Sequence, residues 1–487
     1  MAKSALSNSI LYGIGSLVKA CASFFLLPLY TSVLGATQYG LLNVLQTASI
    51  IISTIITLAL ERSLYRLYHD YKTDEGKMKF LSTVFIAING IGLFVILLFV
   101  LFGSFLTPYL GGVDFMTGLL PVVLYSYVNA LINYCLIVLQ TKQEGGKYVL
   151  VSLLFVALYN ILCVAFLYLY SPTYHSMVYA TLITTILVLP VSFSMVRHQI
   201  RFYFNTGIIK CVLKFTAPVL GMILFSWILH FSDRLFLANM TNLEDVGLYS
   251  FSAKVVSTVP LFCGAVFQSY TPYFFSIANS MPYEQAKIKL QLVNDTIIFL
   301  TCIICIVIAF VYNFLLHTIF SEEYIPSLDF FYFLLIGAVV AQQTGLLNGM
   351  LYQNKKTGKL AIISIIGGIL SVCFNLLLIT TIGRIGAAVS NLVVSSFIVG
   401  ATYLLAKKEY YIPYNYALLS GGVATILLMC ICDYMIESVF IQLEIKLLIT
   451  IGFVFIVYQA QLMDFTVLKK IIYKSQRRLN SCDLQKK

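Results

Sequence analysis

Windows of about 20 consecutive apolar residues recur along this chain from one end to the other. A segment of that length crosses a hydrocarbon core of roughly 30 Å as a helix. No other property narrows the possible folds as far, because in lipid every backbone donor and acceptor must be satisfied within the protein, which leaves helices or a closed barrel. The alternating pattern of a barrel strand is absent, so the windows read as helices. Composition agrees: 60% of the 487 residues are hydrophobic and 10% charged, too apolar for a soluble chain of several domains and too poor in charge for a disordered one.

The segmentation gives spans at 8–30, 39–60, 80–102, 116–139, 148–170 and 177–196, then 215–239, 246–269, 296–316, 328–351, 360–380, 385–406, 416–435 and 447–463. About fourteen transmembrane helices follow, an all-α integral membrane fold. Of the 31 Lys and Arg, 26 fall in segments on one side when the termini are placed inside; Arg384 and Lys446 fall outside, and Lys19, Arg234 and Lys254 fall within spans. Cytoplasmic loops retain positive charge, so both termini are expected in the cytoplasm. The net charge of +11 is then mostly topological, and the basic tail fits anionic lipid at the inner leaflet better than nucleic acid.

The predicted outside loops are short, the longest near 103–115, and leave no room for the external domain that a membrane glycan polymerase or ligase would need. The segments 61–79, 197–214 and 270–295 read as basic cytoplasmic connectors containing helical patterns. None of the eleven Cys lies in an outside loop, so no disulfide is expected. Cys302 and Cys305 form a C-x-x-C inside an apolar helix without a second pair at metal spacing, and read as packing residues. Ala20-Cys21-Ala22 imitates a cleavage site, but the adjacent Lys19 argues against processing. No phosphate-binding loop of the G-x-x-x-x-G-K-[ST] type occurs, no catalytic constellation stands out, and no cofactor is expected.

Sliding the chain by 207 residues lays Leu34–Leu41 (LGATQYGL) over Thr241–Leu248 (TNLEDVGL), with Gly40 on Gly247. Both copies open the second helix of a six-helix block. Two lobes in a parallel pseudo-twofold repeat are expected, 1–200 and 201–406, with 407–487 as a two-helix appendage and basic tail.

A charge near the bilayer centre costs about 2.5–3.5 kcal/mol on insertion scales, so each one needs a partner or a wet cavity. Lys19 lies mid-span, and Asp233, Arg234 and Lys254 share one predicted depth. Pairing of Asp233 with Arg234 or Lys254 is the structural reading, and His230 reads as a satisfied polar group. Three cations against one carboxylate leave positive charge for an anionic visitor, and Arg offers a planar fork that suits phosphate. Asn43 and Gln46, Asn129 and Asn133, and Gln342, Gln343 and Asn348 sit at helical spacing within spans. Their ordinary role is interhelical hydrogen bonding; their sharper one is lining a hydrated path.

The phrases LGATQYGLL (Leu34 to Leu42), SDRLFLANM with VGLYSFSAK (Ser232 to Met240, Val246 to Lys254) and FNLLLITTIGRIGAA (Phe374 to Ala388) together resemble the polysaccharide (O-antigen, Wzx-type) flippase family. That family's superfamily also holds multidrug and toxin extrusion antiporters and lipid II flippases. The family usually has Ile-Pro before its late Gly-x-x-Gly-Ala-Ala turn, where this chain has Thr380 and Thr381. The resemblance implies a bacterial inner-membrane transporter without enzymatic activity. It would export a polyprenyl-diphosphate-linked oligosaccharide by alternating access through a cation-lined cavity, in contact with membrane lipids. A coupling ion and other polysaccharide assembly proteins are further partners it implies. A small-molecule antiporter is the alternative, disfavoured because the visible buried carboxylates are mainly Asp233 and Asp433, and a glycan polymerase or ligase is the second.

Overall fold

The computed structural model describes residues 22–463 apart from 23 and 355. Lys19 and the basic tail therefore lie outside the described residues. The described chain is helical throughout, with no strand. Among the described residues, twelve stretches are long and apolar enough to cross a membrane. One of these, Gly358–Glu409, resolves into two helices separated by the turn Gly383–Ile385, and the first predicted span, 8–30, falls mostly outside the description.

Contacts divide the chain into two compact units, Met1–Ser250 and Phe251–Lys487. In the first unit we number α1 (Leu27–Thr57), α2 (Asp74–Phe102), α3 (Leu120–Thr141), α4 (Gly145–Leu169), α5 (Tyr174–Val196) and α6 (Thr206–Met240). The unit boundary falls inside α7 (Leu243–Val256). Helix α3 is the hub, packing on α1, α2 and α5, and Ile132, Val151 and Val188 form a core where α3, α4 and α5 meet.

Helix α1 combines the end of the first predicted span with the second. It bends at Gly35, whose φ of 69° and ψ of 170° lie outside the helical region, a conformation that glycine adopts without a Cβ penalty. Its far end is sharper. Leu58 and Ala59 both take left-handed φ values, 44° and 56°, which are uncommon for residues with side chains, and they stop the helix before the short turn Leu60–Ser63. Prolines do what their positions allow: Pro28 and Pro121 occupy first turns, whereas Pro190 and Pro218 lie inside α5 and α6, where each removes a backbone donor.

The two segments that align in the sequence meet within this unit. Helices α1 and α7 cross so closely that a Cβ on Gly40 would lie 1.9 Å from the Leu243 carbonyl oxygen, and a Cβ on Gly247 would lie 2.0 Å from that of Ala36. Ala36 and Leu243 are themselves 207 residues apart, so the contact is reciprocal between repeat positions.

The second unit contains α8 (Thr258–Ser280), α9 (Tyr283–Thr318), α10 (Leu328–Gln342), α11 (Thr344–Gln353), α12 (Thr357–Ile382), α13 (Gly386–Glu409), α14 (Tyr416–Met435) and α15 (Val439–Gln459). The connector 270–295, expected to contain helical patterns, is helix on both sides of Met281 and Pro282, since α8 and α9 run on past their apolar windows. The span expected at 328–351 falls within one apolar stretch, Glu322–Gln353, in which Gln343 alone separates α10 from α11. Among the described residues Cys302 and Cys305 are free and buried. Cys302 packs on Gly422, where an added Cβ would meet its sulfur at 2.4 Å.

The placement of Lys446 corrects the sequence reading. Expected in an outside loop, it lies two turns inside α15, which begins at Val439, and it is 1% exposed. This leaves Arg384 as the sole Lys or Arg in the expected outside loops.

Candidate functional site

The polar residues of the first unit are organised by helical spacing. On α1, Gln46, Ser49, Ser53 and Thr57 recur every three or four residues, and on α3, Ser126, Asn129 and Asn133 do the same, so each set shares a helix face. Asn129 and Asn133 are exposed on a helix whose other positions are mostly buried. They open onto a cavity of about 210 Å³ whose walls include Ser53, Thr54, Glu61 and Arg62. Ser49 also borders a neighbouring cavity of about 220 Å³, lined by Gln46, Tyr125, Tyr159 and Asn160. Asn43 donates to the Tyr39 carbonyl of its own helix at 2.8 Å.

Glu61 was missed by sequence reasoning, which placed it at the edge of a basic connector. The two left-handed residues before it turn the chain so that Glu61 is only 5% exposed. Its Oε1 lies 3.6 Å from Arg62 Nε, and its Oε2 is buried without a hydrogen-bond partner. Burial raises its pKa above the usual carboxylate range, opposed by its own backbone N–H, the Thr57 hydroxyl and Arg62.

At the other end of the unit, Asp233 is 3% exposed and accepts a hydrogen bond from the Tyr249 hydroxyl, which joins α6 to α7. Its neighbour Arg234 donates to the His230 carbonyl at 3.1 Å and stands over the rings of Phe231 and Tyr249 at 5.5 and 5.7 Å. Thus Asp233 meets a phenol where an Arg234 partner was one expectation, and the guanidinium is held against aromatic faces. His230 is exposed, with Nδ1 2.8 Å from the Ser226 carbonyl oxygen. Because Tyr249 supplies a donor to a buried carboxylate, Tyr249→Phe is expected to lower the melting temperature of the detergent-purified protein more than Asp233→Asn, which keeps an acceptor. Losing a hydrogen bond to a buried charge costs about 1.5–3 kcal/mol. A larger loss from Asp233→Asn would mean that the negative charge, rather than the hydrogen bond, holds the two helices.

In the second unit Lys254 lies half-buried in the last turn of α7. Gln342 ends α10, and Gln343 is buried, donating to the Val339 carbonyl at 2.9 Å and accepting from the Tyr414 hydroxyl at 2.7 Å. Gln343, between α10 and α11, thus bonds to a residue of the loop that precedes α14, while Asn348 is half-buried on α11. Asp433 and Lys446 form a closed network that the sequence did not reveal. Lys446 Nζ lies 2.6 Å from Asp433 Oδ1 and also donates to the Ala309 carbonyl at 3.2 Å. Tyr332 and Asn313 donate to the same carboxylate. Gln442 and Lys446, four apart on α15, are both buried; that spacing opposite Asp433 was the available signal. Asp245 and Asp295 are also buried carboxylates, so the expectation that Asp233 and Asp433 are the main ones does not hold.

Comparison with solved structures places this fold. A lipid II flippase, MurJ, in an inward closed conformation superposes with a TM-score of 0.73 at 16% identity, covering 93% of this chain and 99% of that one. An inward-facing multidrug resistance MATE family transporter of the MOP superfamily gives 0.61 at 12% identity, covering 83% and 99%. The MATE multidrug transporter DinF-BH gives 0.56 at 15% identity, covering 84% and 96%. No curated protein sequence matches the chain. The family described as polysaccharide biosynthesis protein matches residues 5–278, more than half of the 487, and the chain belongs to that family.

Proposed function

We propose that this protein carries a polyprenyl-diphosphate-linked oligosaccharide from the cytoplasmic to the outer leaflet of the bacterial inner membrane by alternating access. The observation that carries this reading is membership of the polysaccharide biosynthesis family over 5–278. A fold shared with a lipid II flippase across 93% of the chain supports it. Lys19, Arg234 and Lys254 serve the diphosphate, and the amides and hydroxyls along α1 and α3 serve the sugars. The same fold carries multidrug transporters, and small-molecule antiport is the competing reading. The buried carboxylates Glu61, Asp245 and Asp295 remove the argument from scarcity of acids that stood against it.

Deleting the gene tests the proposal. Loss of surface glycan with accumulation of lipid-linked precursor is expected, and normal surface glycan together with drug sensitivity would select the antiporter. Complementation with Lys19→Ala is expected to restore membrane-inserted protein but not export. Lys19→Arg should restore much of the export, because a diphosphate accepts either cation.

A further inference from the structure

We propose that the Glu61 cavity of the first unit is a binding subsite for one uncharged glycosyl ring of the substrate, an inference that rests on the flippase reading and adds which part of the substrate binds there. Three of the five hydroxyl residues that border the cavity have their protons committed. Ser49 donates to the Gln46 carbonyl at 3.0 Å, Thr54 to that of Ile50 at 2.9 Å and Ser126 to that of Val122 at 2.7 Å. Each oxygen is left as an acceptor. Glu61 Oε2 adds a carboxylate oxygen with no donor, a state that costs a buried group its full desolvation penalty until a donor arrives. The wall is therefore rich in acceptors, and its ligand must be rich in donors.

Charge narrows the class. Arg62 stands beside Glu61, so the pair is close to neutral. A phosphate would face the Glu61 carboxylate, and a metal cation would face the Arg62 guanidinium. A polyol meets neither objection: adjacent ring hydroxyls donate to Glu61 Oε2 and to the hydroxyl oxygens, while Asn129, Asn133 and Arg62 donate in return. At about 210 Å³ the cavity is below the roughly 300–1,000 Å³ of drug-sized ligand sites, which suits one ring rather than the whole oligosaccharide. In this assignment the sugar and the diphosphate are recognised by different residues.

The test uses the full chain in lipid nanodiscs with Ser53→Cys, a position on the cavity wall, and follows maleimide labelling of that site by mass spectrometry. The probes are undecaprenyl diphosphate, bare and carrying a single glucose, galactose or N-acetylglucosamine. At least one sugar-bearing lipid is expected to slow labelling tenfold or more, the bare lipid less than twofold. Glu61→Gln, nearly isosteric, should weaken that protection at least fivefold without changing the melting temperature. Equal protection by the bare lipid, protection by sodium chloride over choline chloride with no lipid present, or undiminished protection in Glu61→Gln would each overturn the assignment. If no lipid protects the cavity while gene deletion still blocks glycan export, the subsite is wrong and the flippase reading stands. If deletion leaves export intact, the flippase reading itself fails.

Discussion

Lys446→Met is expected to remove most of the folded protein from the membrane. The ammonium it deletes is 1% exposed and lies 2.6 Å from an equally buried carboxylate. Breaking a buried pair from one side leaves an uncompensated charge and costs on the order of 3–5 kcal/mol, a large part of the stability of an ordinary domain. Replacing both members should cost much less, since removing a buried pair together is often close to neutral. Asp433→Asn combined with Lys446→Met keeps an acceptor for Tyr332 and Asn313 and is expected to recover at least half of the lost protein. Membrane abundance and melting temperature of the two variants check this. Parental stability in Lys446→Met alone would mean that the carboxylate is neutral without its lysine.

Gly247→Val and Gly40→Val should be comparably damaging, for a steric reason. At 2.0 and 1.9 Å from a facing backbone carbonyl oxygen, even the first added carbon has no rotamer that escapes, so the helices must separate. Overpacking of this kind costs on the order of 1–3 kcal/mol, sometimes more. Either valine is expected to abolish export even where protein remains in the membrane. A comparison with Gly146→Val, at a position where an added Cβ meets nothing within 4 Å, sets the background. Equal behaviour of the three variants would show that the crossing tolerates separation.

Hydrophobic length made most helices legible, because the bilayer sets one scale for every span. The amides Asn129 and Asn133 were legible because a polar pair four apart on an apolar helix has few places to go. Lys446 was not, since a lysine near the end of an apolar window reads as a loop residue unless its acid is recognised on the preceding helix. Glu61 depends on backbone angles at Leu58 and Ala59, residue types that give no notice of a left-handed turn. The role of Gln343 was invisible for a related reason: it bonds to Tyr414, 71 residues away, and no local pattern encodes that partner.

The reciprocal glycine crossing has a consequence for ancestry. When residue i meets residue j and the equivalent of j meets the equivalent of i, the contact is isologous, the kind that two identical copies make across a dimer axis. Ala36 with Gly247 and Leu243 with Gly40 satisfy that condition at a constant offset of 207 residues. A chain of half this length, carrying the small-residue patch once, would already hold both sides of the contact. Fusion of two such genes would then have turned a homodimer interface into an internal one without requiring a new complementary surface.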